Sequence, residues 1–482
     1  AIAAIEMMRS VDLVPETGED RLWRLAQVSV RRRDGIVRSY FLSLGISWDG
    51  GDDPGILLHA LARVRKGAMV GTLYEAACDS DFGQALLAAI RSSRVLAGSD
   101  AQVACFRARA FPDDLDPAAM TVRRITGEQS NTSLVLGDRA VLKLYRRLEE
   151  GLSVELEMNR YLTEIAGFDG IPALYGGLAL MDSVGKPVSL GILQAFVANQ
   201  GDAWSWTCDY LQRFLDENSM LPAGEVLARP DLHGDYLILV RTLAERLAGL
   251  HRALAIDSGE RDFEPEAIEA EDLMAWRRRA REQAETAIRL LAGDDGQALP
   301  AERLLTVIEH LLPEEISSSK SRIHGDLHLG QVLVVKNDVS IIDFEGEPAR
   351  ALADRRAKDS PLRDVAGMLR SFNYATWHTL FAVAAARPGA ETLLEPLAQD
   401  WEDRVTAMFL DTYRLAVRGA ASVPTETREF HALLRLFLIE KACYEIAYEV
   451  SNRPSWVAVP VKGVFSLLQM AETVTDGEQD EG

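Results

Sequence analysis

Apolar positions recur with two different periods along this chain, and the change from one to the other divides it. Up to about residue 200 the pattern is one of short β-rich runs. Residues 25–30 and 36–44 are two such runs, and Asp34-Gly35 between them is a hairpin signal. The loop 49–54 ends the second run, and 82–91 reads as a helix. Residues 123–145 read as strand, polar turn, strand, turn, strand, with the second strand at 133–136 and the third at 140–145. A helix-like stretch follows at 151–162 with Ser153 as its cap, and 190–197 is an apolar strand. From about 205 onward the period lengthens to that of a helix. Leu237, Val240, Leu243, Leu247, Leu250 and Leu254 form one stripe, and 267–292 and 300–312 continue in the same manner. His251, beside that stripe, reads as structural. Asp364 is the expected N-cap of a further helix.

The bulk numbers narrow the partners. A chain of 482 residues is long enough for two or three domains. Acidic residues number 73 against 52 basic, a formal net charge of −21, which argues against nucleic acid or an anionic membrane as the main partner. A locally positive phosphate site remains compatible with that charge. Cys78, Cys105, Cys208 and Cys443 are scattered without a CxxC pair, which suits a reducing cytoplasm and argues against a cysteine zinc site. No signal peptide and no apolar run of bilayer length is visible. The start at Ala1 fits either excision from a longer polypeptide or removal of an initiator Met.

Candidate chemistry concentrates at 323–346. An apolar residue leads into His324-Gly325-Asp326, Gln331 follows five positions after the Asp, and a short strand leads to Asp343 inside an apolar run. This is the layout of a phosphoryl-transfer loop, in which one carboxylate faces the nucleophilic hydroxyl while an amide and a second carboxylate hold magnesium on nucleotide phosphates. Lys143 lies in an otherwise apolar strand, where a charge needs a partner. Glu155 and Glu157 on the next helix are the candidates, and Glu157 is the expected partner because Val154 and Tyr161 share its face. The small polar turn Gly127-Glu128-Gln129-Ser130-Asn131-Thr132-Ser133 offers backbone N–H groups and hydroxyls to phosphates, although taken alone it is better explained as an ordinary hairpin. Backbone groups near Gln194 and Phe196 are placed against adenine and Asp202 near the ribose, with a plain buried strand as the alternative. Lys441, Tyr444, Glu445 and Tyr448 recur at helical spacing before Arg453-Pro454 ends the helix, a polar and aromatic face of the sort that binds sugars, with an amphipathic terminal helix carrying salt-bridging charges as the equal alternative.

Taken together these strings resemble bacterial maltokinases, in the aminoglycoside-phosphotransferase-like branch of the protein-kinase superfamily. The resemblance rests on residues 127–133, Lys143, 324–331, 342–348 and 441–454. It implies an α+β, two-lobed protein-kinase-like fold: an α/β cap subdomain at 1–120, a β-rich N-lobe at 121–197, a helical C-lobe at 198–475 and a disordered tail at 476–482. It further implies ATP and Mg2+ as cofactors and phosphorylation of maltose at its anomeric hydroxyl. Asp326 is then the base, Gln331 and Asp343 the metal ligands, Lys143 with Glu157 the phosphate grip, and His328, Lys441, Tyr444, Glu445, Tyr448 and Arg453 the sugar side. A trehalose synthase domain or partner is expected by the same resemblance. Two departures stand out: Ala203 follows Asp202 where Gly is expected, and the cap begins late, as though its first strand were missing. Other readings are a kinase of another small sugar such as glucosamine, an aminoglycoside-modifying enzyme, and a non-catalytic module regulating a trehalose-converting partner.

Overall fold

The structure, a computed structural model, describes residues 1–15, 22–48, 54–125, 131–181, 185–292, 298–348, 350–387, 389 and 391–477. These residues fall into two compact units, Ala1–Ala198 and Asn199–Gly482.

The first unit is built on two antiparallel sheets. One contains β1 (Ile2–Leu13), β2 (Trp23–Arg32), β3 (Val37–Trp48), β4 (Ala60–Lys66) and β5 (Met69–Glu75), ordered β1-β2-β3-β5-β4, with the short helix α1 (Pro54–Leu58) before β4. The Asp34-Gly35 hairpin stands where the sequence puts it, with Gly35 at φ 84. The sequence reading listed no strand before residue 25, but β1 pairs with β2 from Ile2↔Arg32 to Leu13↔Trp23. Its residues 2–7 are exposed and only its C-terminal end reaches the core, so no period-2 alternation marks it in the sequence.

The other sheet contains β6 (Val95–Ala97), β7 (Gln102–Arg107), β8 (Val122–Arg124), β9 (Thr132–Leu136), β10 (Ala140–Leu144), β12 (Leu174–Met181) and β13 (Pro187–Ala195), ordered β6-β7-β12-β13-β10-β9-β8, while β11 (Arg147–Leu148) pairs back onto β3. This sheet runs across residue 120. β7 pairs with β12 from Gln102↔Met181 to Arg107↔Gly176, and Trp23, Phe82, Leu142 and Ile192 belong to one core. That pairing joins segments some seventy positions apart, beyond the reach of a local pattern. Helix α2 (Ser80–Arg91) buries Phe82, Leu86, Leu87 and Ile90 in the same core. Helix α3 (Val154–Arg160) is capped by Ser153, whose Oγ accepts from Leu156 N–H at 3.2 Å.

The second unit is mostly helical: α4 (Ala203–Asn218), α5 (Ala223–Leu227), α6 (Gly234–Ala253), α7 (Ala270–Leu291), α8 (Ala301–His310), α9 (Leu352–Arg356), α10 (Leu362–Ala386), α11 (Glu391–Ala416), α12 (Thr427–Asn452) and α13 (Ala458–Gly477). The stripe foreseen on α6 is buried at Val240, Leu243, Leu247 and Leu250. Two ribbons interrupt the helices, β14 (Glu266–Ala267) with β15 (Ser319–Lys320) and β16 (Val332–Val335) with β17 (Asp338–Ile341). Asp364 is not an N-cap. Pro361 holds that position, and Asp364 lies inside the first turn of α10. Asp476 and Gly477, expected in the tail, close α13, and 478–482 lie outside the described residues. Among the described residues no helix is long and apolar enough to cross a membrane.

Candidate active site

In the first unit Lys143 occupies β10 between β9 and β13, opposite Ser133 and Ile192. Gly191 permits this close pairing, because a Cβ there would stand 2.7 Å from the Lys143 carbonyl oxygen. The Lys143 ammonium meets Glu155 Oε1 at 3.2 Å, not Glu157. Glu155 is 1% exposed, and its other oxygen accepts from the Tyr145 hydroxyl at 3.0 Å, which in turn accepts from Ser153 Oγ at 3.0 Å. The choice of Glu157 failed for a local reason. α3 is only two turns long and buries Val154, Glu155, Leu156, Met158 and Asn159, so it has no single apolar face from which to infer orientation.

Of the polar turn, Gly127, Gln129 and Ser130 lie outside the described residues, while Asn131, Thr132 and Ser133 are buried. The Thr132 hydroxyl accepts from Arg146 Nε at 2.9 Å. The Phe196 amide donates to Arg139 O at 3.0 Å, and Gln194, paired on both sides within the sheet, turns its amide to Asn159 Oδ1 at 2.8 Å.

In the second unit the loop after β15 is shaped by buried polar contacts. Asp364, 1% exposed, accepts from His324 N–H at 2.8 Å on Oδ2 and from Gly325 N–H at 2.9 Å on Oδ1. His251 Nε2 lies 3.2 Å from the same Oδ2, and its Nδ1 lies 2.7 Å from the Tyr413 hydroxyl. One ring nitrogen thus faces the carboxylate and the other the phenol, which fixes the plane of the imidazole. Burial opposes the charge on Asp364, but the His251 hydrogen bond and the loop donors outweigh it and hold the carboxyl below its ordinary value. Gly325, at φ 83, takes a backbone conformation that disfavours a side chain. The His324 ring closes the far side, with Nδ1 3.3 Å from Asp326 N–H and Nε2 2.9 Å from Ile342 O. It thereby ties the Asp326 loop to the strand leading to Asp343.

Gln331 and Asp343 come together, Gln331 Nε2 donating to Asp343 Oδ2 at 3.1 Å. Asp343 sits at φ 68, an uncommon conformation for a residue with a side chain. A carboxylate beside an amide oxygen is the hard oxygen donor set that magnesium accepts, with water completing the shell. Asp202 caps α4 through Ser205 N–H at 2.8 Å. Its neighbours Gln200 and Gly201 bond to Val334, so Asp202 lies alongside the strand that follows Gln331. His328 turns back to accept from Gly330 N–H at 3.1 Å, and burial holds its imidazole below the usual value, and so neutral at pH 7.

Helix α12 brings part of its expected face to this loop. Lys441 Nζ stands 3.9 Å from Asp326 Oδ1 and 5.1 Å from the centre of the Tyr444 ring. Burial, and then the charge and hydrogen bond of Glu347, raise the Tyr444 phenol well above its ordinary value, with Asp326 adding to the shift. Tyr448 is 47% exposed. Glu445 departs from that face: its Oε2 accepts from Arg370 Nε at 2.8 Å and lies 2.7 Å from a second guanidinium nitrogen as an ion pair. Arg453 is paired to Glu449 at 2.6 Å and lies over the Tyr448 and Trp456 rings. The sequence reading ranked Glu155 behind Glu157 and missed the roles of Asp364, Arg370 and Glu347. A signal existed for Asp364, a charge set among Val365, Ala366, Met368 and Leu369 that needed partners.

Residues 121–398, more than half of the chain, match the phosphotransferase enzyme family. A glucosamine kinase of Streptacidiphilus jiangxiensis is 27% identical over 351 residues, covering 72% of this chain and 73% of that protein. One from Mycolicibacterium smegmatis is 28% identical over 352 residues, covering 72% and 79%. A solved glucosamine kinase in complex with glucosamine, ADP and inorganic phosphate aligns with a TM-score of 0.64 at 23% identity, over 97% of this chain and 95% of that one, and shares its fold. Maltokinases in particular are not singled out. The chain is a member of the phosphotransferase enzyme family, with a protein-kinase-like fold.

Proposed function

We propose that the protein transfers the γ-phosphoryl group of ATP to a hydroxyl of a small sugar, and that glucosamine, not maltose, is the first substrate to expect. The observation that carries this reading is the approach of Lys441 to within 3.9 Å of Asp326, which sets the polar and aromatic stripe of α12 beside the carboxylate of the loop. Both relatives above are named glucosamine kinase, which favours the amino sugar. Maltose is the second reading, favoured by the pair of tyrosines, Tyr444 and the exposed Tyr448, one helical turn apart on that stripe.

In this reading Asp326 orients the acceptor hydroxyl and takes its proton. Lys143, held by Glu155, engages nucleotide phosphate oxygens, and Asp202 serves the ribose. Gln331 and Asp343 hold magnesium, which supplies positive charge to the phosphates. His324 and Asp364 fix where Asp326 stands. Intact Lys143, Asp326, Gln331 and Asp343 speak against a purely regulatory module.

The test is coupled ADP release with ATP and magnesium against glucosamine, maltose, glucose, trehalose and kanamycin. Turnover with glucosamine above the others is the expected result. Turnover with maltose alone would move the assignment to the second reading. A folded, nucleotide-binding protein inactive on every sugar would overturn both.

A further inference from the structure

A kinase loop needs cationic groups where charge develops, and this one carries none of its own. His328, two positions after Asp326, is neutral at pH 7 and directs its Nδ1 to Gly330 N–H. Among the described residues the ion-pair partner of Asp326 is Lys441, delivered from α12. Its Nζ lies 3.9 Å from Asp326 Oδ1, too far for a direct hydrogen bond, which spans about 2.7–3.2 Å. A hydroxyl oxygen placed about 2.7–2.9 Å from each atom fits that gap, donating to the carboxylate and accepting from the ammonium.

The position of Lys441 is well supported. The preceding residue, Glu440, accepts Arg363 at 2.6 Å on both oxygens, and Glu445 is held by Arg370. Glu440 is 8% and Glu445 9% exposed, so both anchors lie inside the unit. The Tyr444 ring, 5.1 Å from Nζ, bounds the side chain on one side. Lys441 itself remains one-third exposed, accessible to a substrate.

We propose that Lys441 is a catalytic residue whose ammonium holds the oxygen of the attacking hydroxyl and stabilises the negative charge that grows there. The inference rests on the sugar-kinase reading above. In the step, the hydroxyl oxygen forms a bond to the γ-phosphorus, the bond from that phosphorus to the β-bridging oxygen breaks, and ADP leaves with the electron pair. The hydroxyl proton passes to Asp326, and Lys441 stays protonated throughout. Its contribution is greatest as the oxygen loses its proton, so it acts on kcat more than on ground-state sugar affinity.

The experiment compares wild type with Lys441→Met and Lys441→Gln on the best sugar of the panel, with melting temperature and nucleotide affinity as controls. Removing one such donor is expected to lower kcat about a hundredfold or more, with the sugar KM within a few-fold. A sugar fluorinated beside the acceptor hydroxyl, whose alcohol is more acidic, should recover part of the loss in the variants. A KM increase at unchanged kcat in either folded variant would make Lys441 a binding group only and overturn the proposal. Equal loss on the fluorinated and ordinary sugars would overturn it as well. A wild-type protein without sugar turnover would instead overturn the functional reading, and the proposal with it.

Discussion

Asp364→Asn probes the geometry of the catalytic loop without touching any residue assigned to substrate. Oδ2 accepts two donors, His324 N–H and His251 Nε2–H, and Oδ1 accepts one, Gly325 N–H. An Asn whose oxygen takes the Oδ2 position keeps two of these bonds and turns its NH2 against Gly325 N–H. The opposite orientation loses two, so the first is the cheaper. One buried charge-assisted bond is lost and one donor is left unsatisfied, which gives a destabilisation of about 2–3 kcal/mol. Asp364→Ala strands all three donors and should cost about twice as much. The loop then loses its anchor at Gly325, one residue before Asp326, and a displacement of the order of 1 Å lowers kcat about a hundredfold. Urea unfolding gives the first quantity and coupled ADP release the second. His251→Phe combined with Asp364→Asn should be less than additive, because the two share Oδ2. Wild-type kcat in a folded Asp364→Asn protein would refute the argument that this carboxylate sets the loop.

Three further outcomes follow from particular contacts. Glu155→Gln should weaken ATP use, read as kcat/KM for ATP, by about ten- to hundredfold, whereas Glu157→Gln should stay within about twofold; equal effects would contradict the Lys143–Glu155 pair. In Gly367→Ala a Cβ would stand 2.5 Å from the Leu327 carbonyl oxygen, so α10 would press on the catalytic loop. The expected cost is about 1–3 kcal/mol in thermal stability with a fall in kcat, and an unchanged melting curve would count against it. Burial lowers the His233 imidazole from 6.5 to about 4, against the opposing pull of Asp400. Because the unfolded chain binds that proton more readily, the stability it confers is whole above pH 6.5 and is lost as the pH falls toward 4. The difference reaches about 3 kcal/mol. His233→Phe should flatten the urea midpoint over that interval, and an unaltered pH dependence would show that other groups govern it.

Much of the fold is legible in the sequence because its elements mark themselves locally. The Asp34-Gly35 hairpin, the Ser153 cap and the leucine stripe of α6 are each set by neighbours within a few positions, and each stands as read. Gln331 and Asp343 are likewise brought together by a single ribbon, β16 and β17. What escapes is set by distant contacts. β7 joins β12 across the supposed boundary at 120, and β1 has no alternation to reveal it. Glu155 and Glu157 differ only in which way a two-turn helix is rolled, and that is decided by Tyr145 and Lys143 together. Glu445 has the spacing of a ligand but is claimed by Arg370, seventy-five positions away.

That last contact has a consequence for how the specificity of such a protein can diverge. On α12 the glutamates at 440, 445 and 449 are tied by Arg363, Arg370 and Tyr374 of α10, while Lys441, Tyr444 and Tyr448 lie on the arc between them. On the proposed reading, anchoring and recognition fall to different residues of the same helix. If Tyr444 and Tyr448 meet the sugar as proposed, variation there would retune which sugar is accepted without loosening the helix from its neighbour, whereas variation at the glutamates would not. A library confined to those two tyrosines should yield mostly folded proteins with altered sugar preference, so α12 is a ready-made site for inherited or engineered change of substrate.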